Sequence, residues 1–371
     1  NPNALESGDI YYFENGDGDD IINESSNIWH DSGDTIKFGS GIVETDLTYQ
    51  QVGNQLVLTY NSGADSITIN NQYLLNNAGY TIEFISFDDG SSLDNSGMLD
   101  KLTTNGDDNL IGSGWGETID GKAGNDTLTM GDGRDYIIGG LGDDILDGGG
   151  IDIYNPNALE SGDIYYFENG DGNDIINDNS NEWHDSGDTI KFGSGIVETD
   201  LTYQQVGNQL VLTYNSGADS ITINNQYILN NVGYTIEFIS FDNGSSLDNS
   251  GMLDKLTTNG NDVIIGSEWD ETLNGKKGND DLKGGNGKDT YYFELGDGID
   301  IIEDNGNSSI DRIKFGPGIT DVNNLTITTL GDDVIIDYGT TDKITITNGK
   351  LAVYKIEKLE FNSGRVIDLV Y

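Results

Sequence analysis

The chain has no cysteine, only three prolines and two histidines in 371 residues, and little positive charge: 17 lysines and arginines against 65 aspartates and glutamates, a net charge of −48. Each shortage excludes something. Without cysteine there is no disulfide to staple a thin fold, and a bound metal is the obvious substitute. Nucleic acid is a poor partner, because neutralising phosphates requires basic patches. No apolar run approaches the eighteen residues of a membrane span. A chain this acidic repels itself without counterions. It is therefore expected to be disordered or loosely collapsed until cations arrive, and to fold with them. No signal peptide is visible, and the start NPNALESGD reads as a cut from a longer protein.

Glycine, by contrast, is abundant at 52 residues, and much of it falls in a nine-residue rhythm. Residues 103–147 divide into TTNGDDNLI, GSGWGETID, GKAGNDTLT, MGDGRDYII and GGLGDDILD. Position four is glycine in four of the five units (Gly106, Gly124, Gly133, Gly142), and position six is always an acid: Asp108, Glu117, Asp126, Asp135, Asp144. Position eight is always aliphatic: Leu110, Ile119, Leu128, Ile137, Leu146. Glycine permits the positive φ of a tight turn, and the last three residues have the in-and-out habit of a strand. Two units make one coil of a flattened right-handed roll, so each unit stacks on the next but one, and the turns pile along each edge. Stacked carboxylates repel unless a cation sits between them. A cage of about six oxygens, from acids and turn carbonyls, suits calcium. No thiolate or imidazole is offered, which disfavours zinc and copper. A hydrophobic fraction of 35% is low for one globular core but adequate for a solenoid that buries a thin aliphatic line.

A long repeat lies over the short one. Residues 1–104 match 155–258 with seven differences, Asp19/Asn173, Glu24/Asp178, Ser25/Asn179, Ile28/Glu182, Leu74/Ile228, Ala78/Val232 and Asp89/Asn243. A diverged third copy begins at Asp289. The second tandem block, TTNGNDVII, GSEWDETLN, GKKGNDDLK, GGNGKDTYY, places Asp262, Glu271, Asp280 and Asp289 at position six and Gly260, Gly278 and Gly287 at position four. Degenerate units follow each start: NGDGDDIIN with Asp20, NGDGNDIIN with Asp174 and LGDGIDIIE with Asp300. Units ending DTIK or DRIK then supply Asp34, Asp188 and Asp311. Asp17, Asp171 and Asp297, at position three of the GDG turns, are alternative ligands or solvated turn residues.

Between the roll segments, DLTYQ, QLVLTY, DSITIN and YTIEFISF alternate apolar and polar residues, as half-buried strands do. Their larger side chains are expected to cap the thin roll, whose open strand edges would otherwise be sticky. Short helical turns are expected at residues 76–79 and 98–102 and nothing longer. The chain thus reads as all-β, parallel roll blocks alternating with strand-rich modules. Three segments follow: 1–102, 103–256 and 257–371, each pairing roll with a strand-rich module.

The nonapeptides G-G-x-G-x-D-x-U-x resemble the calcium-binding repeats of the RTX (repeats-in-toxin) family. The interleaved IKFGxGI, DL and DSITI stretches resemble the modules of FrpC-like RTX toxins from Gram-negative bacteria. The resemblance implies several bound Ca2+ ions and export by type I secretion machinery from a calcium-poor cytosol. Folding would then occur outside the cell, at affinities of roughly 10⁻⁴–10⁻³ M. Any toxic, adhesive or enzymatic activity would lie elsewhere in the parent, whose surface contact with a host cell is an open possibility.

There are departures. Glu117 and Glu271 stand where aspartate is usual, and the extra methylene is expected to weaken a site. Asp152 lies in a shortened unit, and the insert at 155–162 breaks the register before the degenerate units. Catalytic signatures are missing: no H-E-x-x-H and no G-x-S-x-G occurs. His30 and His184 sit beside Trp29 and Trp183 in duplicated copies, and the repeat explains the paired carboxylates better than glycosidase chemistry does. FrpC-like proteins can cut themselves at Asp-Pro, yet the prolines here follow Asn1, Asn155 and Gly316. Two alternatives stay open: an adhesin segment binding glycan or protein through exposed Trp29, Trp115, Trp183 and Trp269, and the repeat region of a secreted enzyme.

Overall fold

The computed structural model describes residues 8–24, 33–75, 81–150, 162–178, 187–228, 235–267, 269–306 and 310–370. His30, His184, Trp29, Trp183, Asp152, most of the 155–162 insert and the turn expected at 76–79 lie outside them. The chain forms two compact units: residues 1–200 with 213–222 and 240–244, and residues 201–212, 223–239 and 245–371.

In the first unit the nonapeptides alternate between two parallel sheets. Asn109–Ile111, Thr127–Thr129, Ile145–Asp147 and Asn173–Ile176 stack in one. Thr118–Asp120, Tyr136–Ile138, Ile164–Phe167 and Thr189–Phe192 stack in the other. Leu110 lies opposite Leu128 and Leu128 opposite Leu146, so each unit does pair with the next but one. The reason is geometric. A three-residue strand followed by a six-residue turn reverses the chain once, so two units return it to the same edge. The ladder also continues across the insert, with Leu146 opposite Ile176 and Ile137 opposite Tyr165. The register broken in the sequence is therefore kept in space. Position eight is the core: Leu128, Ile137 and Leu146 are completely buried.

The second unit repeats the design. Val263–Ile265, Asp281–Lys283 and Ile299–Ile302 form one parallel stack, and Thr272–Leu273, Thr290–Phe293 and Arg312–Phe315 the other.

The strand-rich modules end the roll by changing strand direction. In copy one, Asp19–Ile22 pairs in parallel with Asp65–Ile69, after which Gln55–Tyr60 and Thr48–Val52 add antiparallel. In copy three, Ile299–Ile302 meets Asp342–Ile346 in parallel, and Asp333–Tyr338 and Leu325–Leu330 follow antiparallel. Alternating burial in QLVLTY and DSITI puts one face of each strand inward, and the aromatics close the interior as expected. Phe38 packs edge-on against Tyr60 at 5.2 Å between ring centroids and stacks on Phe87 at 5.8 Å. Phe192 repeats both contacts with Tyr214 and Phe241.

Two details join a module to the following roll. The helix Asn95–Asp100 is capped by the Asp94 carboxylate, which accepts the Gly97 amide at 2.8 Å, and Ser96 Oγ accepts the amide of Thr118 at 2.9 Å. The helix begins three residues before the expected turn. Its counterpart, Asn249–Leu256, is longer than the sequence suggested. At the strand edge, the Gln51 carboxamide acts as a surrogate strand: Nε2 donates to the Ile111 carbonyl at 2.7 Å, and Oε1 accepts the Ile111 amide at 2.9 Å.

Truncating the core line is expected to be costly. Leu146→Ala should destabilise the cation-saturated fold by about 2–5 kcal/mol. Gln51→Ala, which strips one edge residue of both its partners, should cost about 1–3 kcal/mol. Denaturant midpoints in saturating calcium measure both, and equal small losses would contradict this account of the core.

Candidate metal centre

The position-six acids are brought together in vertical files. Along one edge of the first roll the amide of Asp108 donates to Asp126 Oδ1 at 2.7 Å, Asp126 to Asp144 at 2.7 Å, and Asp144 to Asp174 at 2.9 Å. Along the other edge Glu117 donates to Asp135 at 2.7 Å, Asp135 to Asp163 at 2.8 Å, and Asp163 to Asp188 at 2.7 Å. The second unit has the same files, Asp262–Asp280–Asp300 and Glu271–Asp289–Asp311. In copy one the Asp9 amide reaches Asp34 Oδ1 at 2.6 Å, and the Asp34 amide reaches Glu83 at 2.8 Å.

Each such carboxylate uses one oxygen on the preceding coil. The second oxygens of Asp126, Asp135, Asp144, Asp174, Asp280, Asp289 and Asp300 are buried and have no hydrogen-bond partner. An anionic oxygen left alone in a protein interior is strongly disfavoured. Seven of them at equivalent positions are what oxygen-seeking cations require. Position-one glycines clear the space around them: a Cβ on Gly121, Gly139 or Gly275 would stand 2.3–2.5 Å from the free oxygen of Asp126, Asp144 or Asp280. Position-four glycines stack likewise, for a Cβ on Gly142 or Gly278 would strike the carbonyl of Gly124 or Gly260. Gly124, Gly133, Gly142, Gly278 and Gly287 have positive φ. Gly106 and Gly260, in the first turn of each block, are exposed and lack it. The donor set fits calcium: a hard cation held by position-six carboxylates and turn carbonyls would neutralise the files and join successive coils.

The remaining expected ligands fall out as follows. Asp108 and Asp262 head their files half-exposed and turn back on Thr104 and Thr258. The longer side chains of Glu117 and Glu271 reach the position-two serines, Ser113 and Ser267, so both oxygens of Glu117 and Oε1 of Glu271 are engaged inside their own turns. Asp171 and Asp297 are buried and accept the amides of Glu168 and Glu294 at 2.6 Å. Asp17 lies on an exposed turn and accepts the Glu14 amide at 2.8 Å, with no earlier coil among the described residues covering it. Asp20, in the same coil, is half-buried. Trp115 and Trp269 also depart from expectation, being half-buried with their indole N–H groups donated to Thr81 and Thr235.

Asp163 was missed. It sits in the file between Asp135 and Asp188 with 1% exposure. Its G-D-I-Y spacing, aligned with that of Asp289, was signal enough. The position-one glycines were missed because their role is to be absent as side chains, which only packing reveals.

Burial raises the pKa of several file carboxylates, and neighbouring acids add to it: to about 8 for Asp174, about 7 for Asp300 and Asp311, and about 6 for Asp144. Without cations the folded state therefore holds protons that the unfolded chain releases above about pH 4. The ion-free fold is most favoured below that and loses stability as pH rises through 6–8. Calcium needs the ionised form and reverses the trend. In chelator, β-type circular dichroism should be stronger at pH 4.5 than at pH 8, and calcium should restore it at pH 8. Gly139→Ala should weaken calcium binding by about tenfold without removing a carboxylate, read by calcium titration.

Residues 55–96 and 209–250 each match the haemolysin-type calcium binding protein related domain. Among solved structures, the extracellular lipase LipA from Serratia marcescens is similar at 16% identity over 66% of this chain. The TM-score is 0.18, too low to argue from, and the chain spans about a third (36%) of that lipase. The chain therefore matches the haemolysin-type calcium binding protein related domain twice, among nonapeptide coils that resemble those of the RTX kind.

Proposed function

We propose that this chain is a calcium-folded segment of a large exoprotein exported by type I secretion from a Gram-negative bacterium, with a toxin the favoured parent. The observation that carries the reading is the set of buried, partnerless aspartate oxygens at equivalent heights in each roll. In a calcium-poor cytosol those oxygens, and a net charge of −48, keep the chain extended enough to thread a secretion channel. Outside, Ca2+ joins neighbouring coils, and the roll and its capping modules fold as a scaffold. The activity and any host-cell contact belong to other parts of the parent, and this segment is assigned no catalytic role. The half-buried, hydrogen-bonded Trp115 and Trp269 do not favour the adhesin reading.

A calcium titration followed by far-UV circular dichroism, with magnesium for comparison, tests this. A cooperative gain of β signal in the range of roughly 0.1–1 mM calcium, absent with magnesium, is expected. A chain already folded in chelator at pH 8 would sink the mechanism.

A further inference from the structure

One coil in each copy departs from the nonapeptide rule at two coupled places. The strand Thr290–Phe293 carries Tyr291 where the tandem units carry leucine or isoleucine. Tyr291 is completely buried, and its length takes the hydroxyl out of the core line into the turn. There the hydroxyl accepts the Gly284 amide at 2.9 Å and donates to Asp304 Oδ2 at 2.8 Å. Asp304 itself follows the unit LGDGIDIIE directly, at the position one that Gly112, Gly121 and Gly139 occupy in the tandem block. An acid thus replaces the glycine that elsewhere makes room beside the position-six carboxylate.

The consequence is a third carboxylate among two stacked ones. Oxygens of Asp289, Asp304 and Asp311 lie within 4.8 Å of one another, and the residues are 0%, 2% and 5% exposed. Asp289 Oδ1 holds the Glu271 amide at 3.0 Å, while Oδ2 is buried with no partner. A Cβ on Gly284 would lie 2.2 Å from that oxygen and 2.4 Å from the Tyr291 hydroxyl, which places the free oxygen beside the hydroxyl that holds Asp304. Among the described residues no lysine or arginine is paired with this cluster. Arg312, next to Asp311, pairs with Glu360 at 3.2 Å, and Lys283 with Glu303 at 2.9 Å.

We propose that Asp304 adds a third carboxylate to the stacked calcium site of Asp289 and Asp311, with Tyr291 positioning Asp304. Calcium–oxygen distances of about 2.3–2.6 Å let one ion reach oxygens up to about 5 Å apart, whereas magnesium, at about 2.1 Å, demands a tighter cage. Three formal negative charges around one ion bind it more strongly than two, since ligand charge tunes calcium affinity. Copy two carries the equivalent residues Asp163, Asp178 and Asp188, all buried, with the Tyr165 hydroxyl accepting the Gly148 amide and donating to Asp178. In copy one Glu24 replaces that aspartate, one of only seven differences between the copies. There Tyr11 and Glu24 are half-exposed although still hydrogen-bonded at 2.5 Å. Copy one is therefore the weak version of the site.

The proposal rests on the calcium-folding reading, and the test separates the two. Bound calcium is counted by equilibrium dialysis on the full chain at pH 7.5, and affinity is taken from the same isotherm. Asp304→Asn is compared with Asp304→Gly, which restores the residue of the tandem repeat and so preserves folding. Both variants are expected to lose one ion, or to bind it at least tenfold more weakly, while the remaining ions bind as in the wild type. Tyr291→Phe is expected to keep the count and weaken the same ion. If the wild type binds calcium and both Asp304 variants match its count and affinity within twofold, the role of Asp304 is overturned and the stacked sites stand. A wild type that binds no calcium would overturn both.

Discussion

The rest of the structure depends on stacking like charges at strand spacing. Parallel strands lie about 4.8 Å apart, and the nine-residue unit puts one acid at each turn, so the carboxylates of successive coils are held in vertical files. One oxygen of each is tied to the backbone of the coil before it, as at Asp126, Asp144 and Asp174. The bond fixes where the carboxylate points and leaves the other oxygen buried without a partner. Fold and ion demand are thus one arrangement: the turn that makes the coil also makes the anion that the coil cannot tolerate alone.

Two further constraints follow. Beside Asp126, Asp144 and Asp280 the second oxygen has room because position one lacks a Cβ, and Gly121, Gly139 and Gly275 stand there. The stack must also end, because a roll of parallel strands has an edge at each end. The modules end it by turning the last parallel strand into an antiparallel meander, Asp65–Ile69 and Asp342–Ile346 being the pivots. Asp65 takes part in the same turn chemistry by accepting the amides of Gly16 and Gly18. Aromatic side chains then fill the wider interior that a meander encloses.

Much of this was legible in the residues. Position eight predicted the core line, since an inward aliphatic every nine residues can only form a file. Position six predicted the acid files, because strict spacing forces them into register. The degenerate units were read correctly as roll, and Asp174 and Asp300 sit where the spacing puts them. The insert was overrated as a break, for pairing needs only that Tyr165 and Ile176 return to their ladders, whatever the length of chain between. Trp115 was misread as exposed because a single sequence does not reveal that Thr81 lies under its ring nitrogen.

The sequence by itself determined the solenoid, the pairing of each unit with the next but one, the acid files and the oxygen chemistry they offer, since all four follow from a local period. Only tertiary structure decided which oxygen of each carboxylate is left over, how Gln51 closes the edge at Ile111, and that Asp304 comes beside Asp289 and Asp311. These are contacts between residues brought together by coils whose turns differ in length. Their geometry depends on distances across the fold that no local pattern encodes.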